Sequence, residues 1–128
     1  MKYLLDTHTL LWWLDGDKQL SNDAREIISD PENDIYVSAA SAWEIATKYA
    51  KGRLPNAPLI LPDFAGVTEQ EGFIELTINS AHMVRSAMLP GDHRDPFDRI
   101  LAAQAIIENM ALLSIDEKIP SLGVLTRW

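Results

Sequence analysis

The chain has 128 residues, is 47 % hydrophobic and contains no cysteine. It is long enough to bury roughly two-thirds of the surface its unfolded form exposes, and disulfide scaffolds, thiolate metal sites and thiol nucleophiles are excluded. The formal charge of −8 argues against a general nucleic-acid binder, although two divalent cations would bring −8 to −4 and put positive charge where a phosphate would sit.

Lys2-Tyr3-Leu4-Leu5 reads as a strand ended by Asp6, and Leu10-Leu11-Trp12-Trp13-Leu14 as an amphipathic helix closed near Gly16. Ser21 is an N-cap candidate for a helix over 22–28, with Pro31 marking its end. Ile35-Tyr36-Val37 is the second strand. Ser41-Ala42-Trp43-Glu44 opens a helix running to about Lys51, stopped by Gly52 and a surface loop bearing Pro55 and Pro58. A further helix is expected from Pro62 to Glu71, then a strand at Phe73-Ile74-Glu75-Leu76. Ala81, Val84, Ala87 and Met88 mark one face of a helix over 79–89, broken by Pro90-Gly91. Asp95-Pro96-Phe97-Asp98 starts the longest helical pattern, to about Asn109. Ala111 to Ile115 is a fully buried strand ended by Asp116, and Val124-Leu125-Thr126 a short last one. This alternation of apolar strands and helices predicts one α/β domain over 1–128, a parallel sheet covered by helices on both faces. Ligands bind such sheets at the carboxyl edge. No run of about 18 apolar residues and no secretory leader is present, so a cytoplasmic protein without a membrane segment is expected.

Asp6, Glu44, Asp98 and Asp116 each lie at a junction of strand and helix. Each has a structural reading. Asp6 can cap the first helix, and Ser41-x-x-Glu44 matches a capping box, the favoured reading of Glu44 taken alone. Asp95 can cap its helix with Pro96 at the first position and Asp98 in the first turn, and Asp116 can be a turn residue. Capping does not require all four to meet at one sheet edge, however, and carboxylates gathered in one cleft repel unless a cation joins them. The joint pattern indicates a site for Mg²⁺ or Mn²⁺. His8, His82 and His93 show no spacing that would put two imidazoles on one ion, and are expected at the surface or supporting other ligands. Trp12, Trp13 and Trp43 are expected in the core, with a protein interface as the alternative. Lys48, Lys51, Arg53 and Arg85 suit a solvated face, whereas Arg94 and Arg99 flank Asp95 and Asp98 and are candidates for a phosphate contact.

Taken together, Leu4-Leu5-Asp6-Thr7-His8, Trp43-Glu44-Ile45, His93-Arg94-Asp95-Pro96-Phe97-Asp98-Arg99 and Leu113-Ser114-Ile115-Asp116 resemble, in order and spacing, PIN-domain ribonucleases, particularly VapC-type toxins of toxin-antitoxin pairs. The resemblance spans essentially the whole chain. It implies a three-layer α/β/α sandwich and Mg²⁺- or Mn²⁺-dependent endonuclease activity on RNA. It also implies a homodimer neutralised by a VapB-like antitoxin, whose apolar side chains would meet Trp12, Trp13 or Trp43. The metal and catalytic set carries over to Asp6, Glu44, Asp98 and Asp116, with Asp95 as a fifth member that holds a metal-bound water or caps the helix. Thr7 and Ser114 offer hydroxyls in support. Two other readings compete. A phosphoacceptor domain of the receiver type needs an adjacent acidic pair after the first strand, where only Asp6 stands. A catalytically idle PIN-like module would bind metal and an antitoxin without cutting RNA.

Overall fold

Five short strands form one all-parallel sheet in a computed structural model that describes all 128 residues. They are β1 (Lys2–Leu5), β2 (Asp34–Ser38), β3 (Ile74–Leu76), β4 (Ala111–Leu113) and β5 (Thr126–Arg127), in the order β3-β2-β1-β4-β5. In the central strand, Leu5 is in register with Val37 on one side and Leu113 on the other. Six helices flank the sheet: α1 (Thr7–Asp15), α2 (Asn22–Ser29), α3 (Ala39–Ala50), α4 (Phe64–Gln70), α5 (Ser80–Met88) and α6 (Pro96–Ile107).

The near-continuous apolar strands are divided by pleating, since successive side chains point to opposite faces. Tyr3, Leu5, Val37, Ala111 and Leu113 join a core with Leu10, Ile28, Ile45 and Phe64 from α1 to α4. Leu4 and Leu112 face the other way, into a core built mainly on α6 through Ile100, Leu101 and Ala105. With α5 lying against α6, the two cores make the three layers. The chain leaves β1 toward β2 but leaves β4 toward β5. Crossovers diverging from adjacent strands open a crevice at their carboxyl ends, which here lies between Asp6 and the segment after Leu113.

Several boundaries differ from the sequence reading. Helix α3 starts at Ala39 with no loop after β2, and its N-cap is Ser38, whose hydroxyl accepts the Ala40 N–H at 2.9 Å. Ser41 and Glu44 therefore lie inside the helix, and the expected capping box does not form. A capping box does occur at α5, where Asn79 accepts the His82 N–H and the His82 ring accepts the Asn79 N–H in return. Pro58 and Pro62 sit in two short 3-10 turns, so α4 begins only at Phe64, capped by Asp63. Strand β4 ends at Leu113, leaving Ile115 half exposed, and β5 falls two residues later than expected.

One polar chain crosses the second core. The Ser38 hydroxyl donates to Gln104 Oε1, the Gln104 amide donates to the Thr77 carbonyl at 3.2 Å, and His82 Nε2 meets Glu108 Oε2 at 2.9 Å. Ser38, His82 and Gln104 are all fully buried, yet no buried polar side-chain atom lacks a partner. His82 is thus neither at the surface nor beside Asp6, Glu44, Asp98 or Asp116, its acidic partner being Glu108. Its ring fastens α5 to α6, while Gln104 fastens α6 to the start of α3.

Candidate metal centre

Asp6 leaves the end of β1 and does two jobs at once. Its Oδ1 accepts the Thr9 N–H at 2.8 Å, capping α1, and its own N–H donates to the Leu113 carbonyl at 3.2 Å. The carboxyl is buried, and that desolvation raises its pKa; hydrogen bonds from Ser114 and Thr9 and the nearby His8 only partly offset it.

Glu44 points from the second turn of α3 with its side chain 4 % exposed. Oε1 accepts the Thr7 hydroxyl at 2.6 Å, and Oε2 pairs with Lys48 one turn on. The Thr7 oxygen also lies 3.1 Å from that of Ser41. Thr7 thus holds one oxygen of the Glu44 carboxylate, and Ser41 lies beside Thr7 in turn.

Asp98 sits in the first turn of α6. Its pKa is raised to about 6, chiefly by desolvation and further by the charges of Asp95, Asp6 and Glu44, against the hydrogen bond from His93. Asp95 is the N-cap of α6, accepting the Phe97 and Asp98 N–H groups at 2.9 and 3.3 Å, and it also lines the cleft. Asp116, beyond β4, accepts the Lys118 N–H at 2.9 Å, while its own N–H donates to Ser114 Oγ at 3.1 Å.

All five acids line one cleft of about 390 Å³. His8, Trp12, Lys48, His93, Ile115 and Lys118 share its walls. A larger hollow of about 560 Å³, lined by Tyr3, Asp23, Glu26 and Trp128 among others, contains none of these acids. The cleft fits a hard divalent cation on its own chemistry. It gathers carboxylate oxygens with few compensating cations, and burial and mutual repulsion make two of those carboxyls harder to ionise.

The basic residues are arranged differently from expectation. Arg99 does not face the cleft as a phosphate clamp. Its guanidinium donates to the carbonyls of Ser86, Leu89 and His93 at 3.1, 2.6 and 3.1 Å, fastening the loop from α5 to α6. Arg94 is exposed and does not line the cleft. The cations that do line it are Lys48 and Lys118, of which Lys48 had a local signal in its four-residue spacing from Glu44.

The same loop turns at Gly91, with φ +91°, where a Cβ would meet the Ser121 carbonyl oxygen at 2.8 Å. We expect Arg99→Met to free this loop and lower affinity for Mn²⁺ by roughly tenfold or more, as loss of supporting contacts around a metal site does. Calorimetric titration with Mn²⁺, together with proteolysis of the loop, checks this; unchanged affinity would show that the loop holds its shape without the guanidinium.

The tryptophans divide. Trp13 packs against the first core and donates to Glu71 at 2.8 Å, and Trp12 is partly buried where it borders the cleft, edge-on to Trp128. Trp43 is 54 % exposed, contrary to the core reading, and meets Phe97 edge-on at 4.7 Å.

Comparisons with known proteins agree with this architecture. The family model described as the PIN domain matches residues 3–125. Ribonuclease VapC16 of Mycobacterium tuberculosis (strain ATCC 25618 / H37Rv) is 56 % identical over 34 residues, which are 27 % of this chain and 24 % of that protein. The chain therefore matches about a quarter of that relative's length. Among solved structures, VapBC2 from Rickettsia felis, bound to a DNA fragment from their promoter, superposes with a TM-score of 0.71 at 15 % identity, covering 99 % of this chain and 98 % of that one. VapBC-1 from nontypeable Haemophilus influenzae gives a TM-score of 0.67 at 17 % identity, covering 99 % and 97 %. These structural likenesses concern the fold, and the family match extends along nearly the whole chain: it belongs to the PIN-domain family.

Proposed function

We propose that this chain is a metal-dependent endoribonuclease, the toxin of a VapBC-like pair, with Asp6, Glu44, Asp98 and Asp116 as its metal-holding and catalytic residues. The observation that carries the reading is the convergence of these acids, from β1, α3, α6 and the segment after β4, on one cleft at the carboxyl edge of the sheet. A single 128-residue domain, cytoplasmic location, homodimerisation and neutralisation by a VapB-like antitoxin belong to the same proposal. No helix is long and apolar enough to cross a membrane. The similar structures named VapBC support the antitoxin partner, and Trp43, exposed beside Glu44, is the tryptophan best placed to meet it.

Mg²⁺ or Mn²⁺ bound to these acids would supply a water acidic enough to attack at neutral pH and would stabilise the anionic transition state. With an ion bound, Asp6 and Asp98 would offer it carboxylate oxygens from a largely buried setting. Glu44 is kept in one orientation by Thr7 and Lys48, and Asp116 closes the opposite wall. Lys48 and Lys118 are the cations available at the cleft for phosphate oxygens, a role for which neither Arg94 nor Arg99 is placed.

The test is incubation of purified protein and Glu44→Gln with a mixed RNA pool in Mg²⁺, Mn²⁺ or EDTA. Since Glu44 caps no helix, we expect metal-dependent cutting by the wild type and a loss of roughly a hundredfold or more in the variant, comparable to other groups that stabilise transition-state charge. Metal binding with no cutting by the wild type would instead support the catalytically idle module.

A further inference from the structure

Local spacing rules find histidine pairs on one element, but they do not see an imidazole that meets carboxylates across elements. His93 is such a residue. It sits on the loop between α5 and α6 with its side chain 12 % exposed. Its Nε2 lies 2.7 Å from Asp98 Oδ2 and 3.7 Å from Asp116 Oδ2. One donor atom from each of the three residues falls within 4.8 Å of the others. Ligands bound about 2.1 Å from a common octahedral ion stand roughly 3 Å apart when adjacent and about 4 Å apart when opposite. The two measured separations, 2.7 and 3.7 Å, fall close to those values, and Asp98 and Asp116 offer oxygens within 4.8 Å of each other. Its loop is also fastened where a ligand would need it, because Arg99 holds the His93 carbonyl at 3.1 Å.

We propose that His93 ligates the ion through Nε2, alongside Asp98 and Asp116, and that this nitrogen biases the site toward Mn²⁺ over Mg²⁺. The assignment rests on the reading of the cleft as a divalent-cation site. Its chemical basis is that Mg²⁺ prefers oxygen and gives up water reluctantly, whereas imidazole is a better ligand for later, softer ions. A site of carboxylates alone would not separate the two ions in this way. His8, which also borders the cleft, is the natural control because it is exposed and lies outside the trio.

The experiment uses metal-free protein titrated with Mn²⁺. The EPR signal of the free ion reports affinity, and pulsed EPR of the bound ion detects directly coordinated ¹⁴N. We expect ¹⁴N modulation in the wild type, retained in His8→Gln and lost in His93→Gln. The His93→Gln variant should bind Mn²⁺ roughly tenfold or more weakly, with Mg²⁺ affinity measured by competition changing less than about threefold. Bound Mn²⁺ without ¹⁴N modulation in the wild type overturns the proposal without need of any variant. So does an equal loss of both ions in His93→Gln, which would make His93 only an orienting partner of Asp98. Either result leaves the metal site intact, whereas a wild type that binds no Mn²⁺ removes the site and this assignment together.

Discussion

In metal-free buffer at pH 7.5, Asp6→Asn should melt several degrees above the wild type, and with Mg²⁺ or Mn²⁺ it should cut RNA roughly a hundredfold more slowly or not at all. Both effects come from the same atom. Asparagine caps a helix about as well as aspartate, so the Thr9 N–H keeps its acceptor. The buried charge disappears, and with it the desolvation that raises the Asp6 pKa in the folded chain. A carboxyl whose folded pKa is raised holds its proton more tightly when folded, so its favourable contribution is present at acid pH and is lost as pH rises. The advantage of the variant should therefore shrink as pH falls and the wild-type carboxyl takes up its proton. Thermal melts across pH in EDTA, paired with cleavage assays, decide the matter. A variant less stable than the wild type at neutral pH would mean that Asp6 serves mainly as a cap.

The second expectation concerns Asp98, whose carboxyl is moved from 3.8 to about 6. The folded chain binds this proton more tightly than the unfolded chain, so stability is fully present below about 3.8 and declines as pH rises through about 6. The corresponding free energy is at most about 3 kcal/mol, and solvent reaching the 17 % exposed side chain reduces it. Urea denaturation of the metal-free wild type should show this descent between pH 4 and 6.5. Asp98→Asn should make it shallower, leaving the share that the raised Asp6 carboxyl contributes, and saturating Mn²⁺ should flatten it by supplying the missing positive charge. A descent of equal size in Asp98→Asn would assign it to other groups.

Much of this was legible along the chain. Asp6, directly after β1, and Asp116, three residues beyond β4, could be placed because near-continuous apolar runs in a parallel sheet must be buried on both faces, leaving polar residues past the ends. Glu44 and Asp98 reached the same edge because their helices follow β2 and precede β4. The failures share one physical origin. Ser41-x-x-Glu44 has the local form of a cap, but β2 runs straight into α3, and Ser38 takes the role one turn earlier. Arg99 directly follows Asp98 in sequence, yet its direction is set by the carbonyls of a loop whose path no local pattern gives. His93 reaches Asp98 within five residues but meets Asp116 only through tertiary approach, as Trp43 does in meeting Phe97. His82 shows the opposite case, a polar residue on an otherwise ordinary helix whose burial follows from partners 22 and 26 residues away.

The central position of β1 has a bearing on how the protein comes into being. This strand lies near the beginning of the chain, but its neighbour on one side, β4, is more than a hundred residues downstream, and the Asp6 amide bonds to the Leu113 carbonyl there. A growing polypeptide that has displayed β1, β2 and β3 still has an open edge along β1, with neither the Leu113 acceptor nor Asp116 in place. Pairing over such separations is slow compared with local helix formation. The cleft is thus complete only once residues 111–116 have docked against β1, a long-range step that follows formation of the local helices.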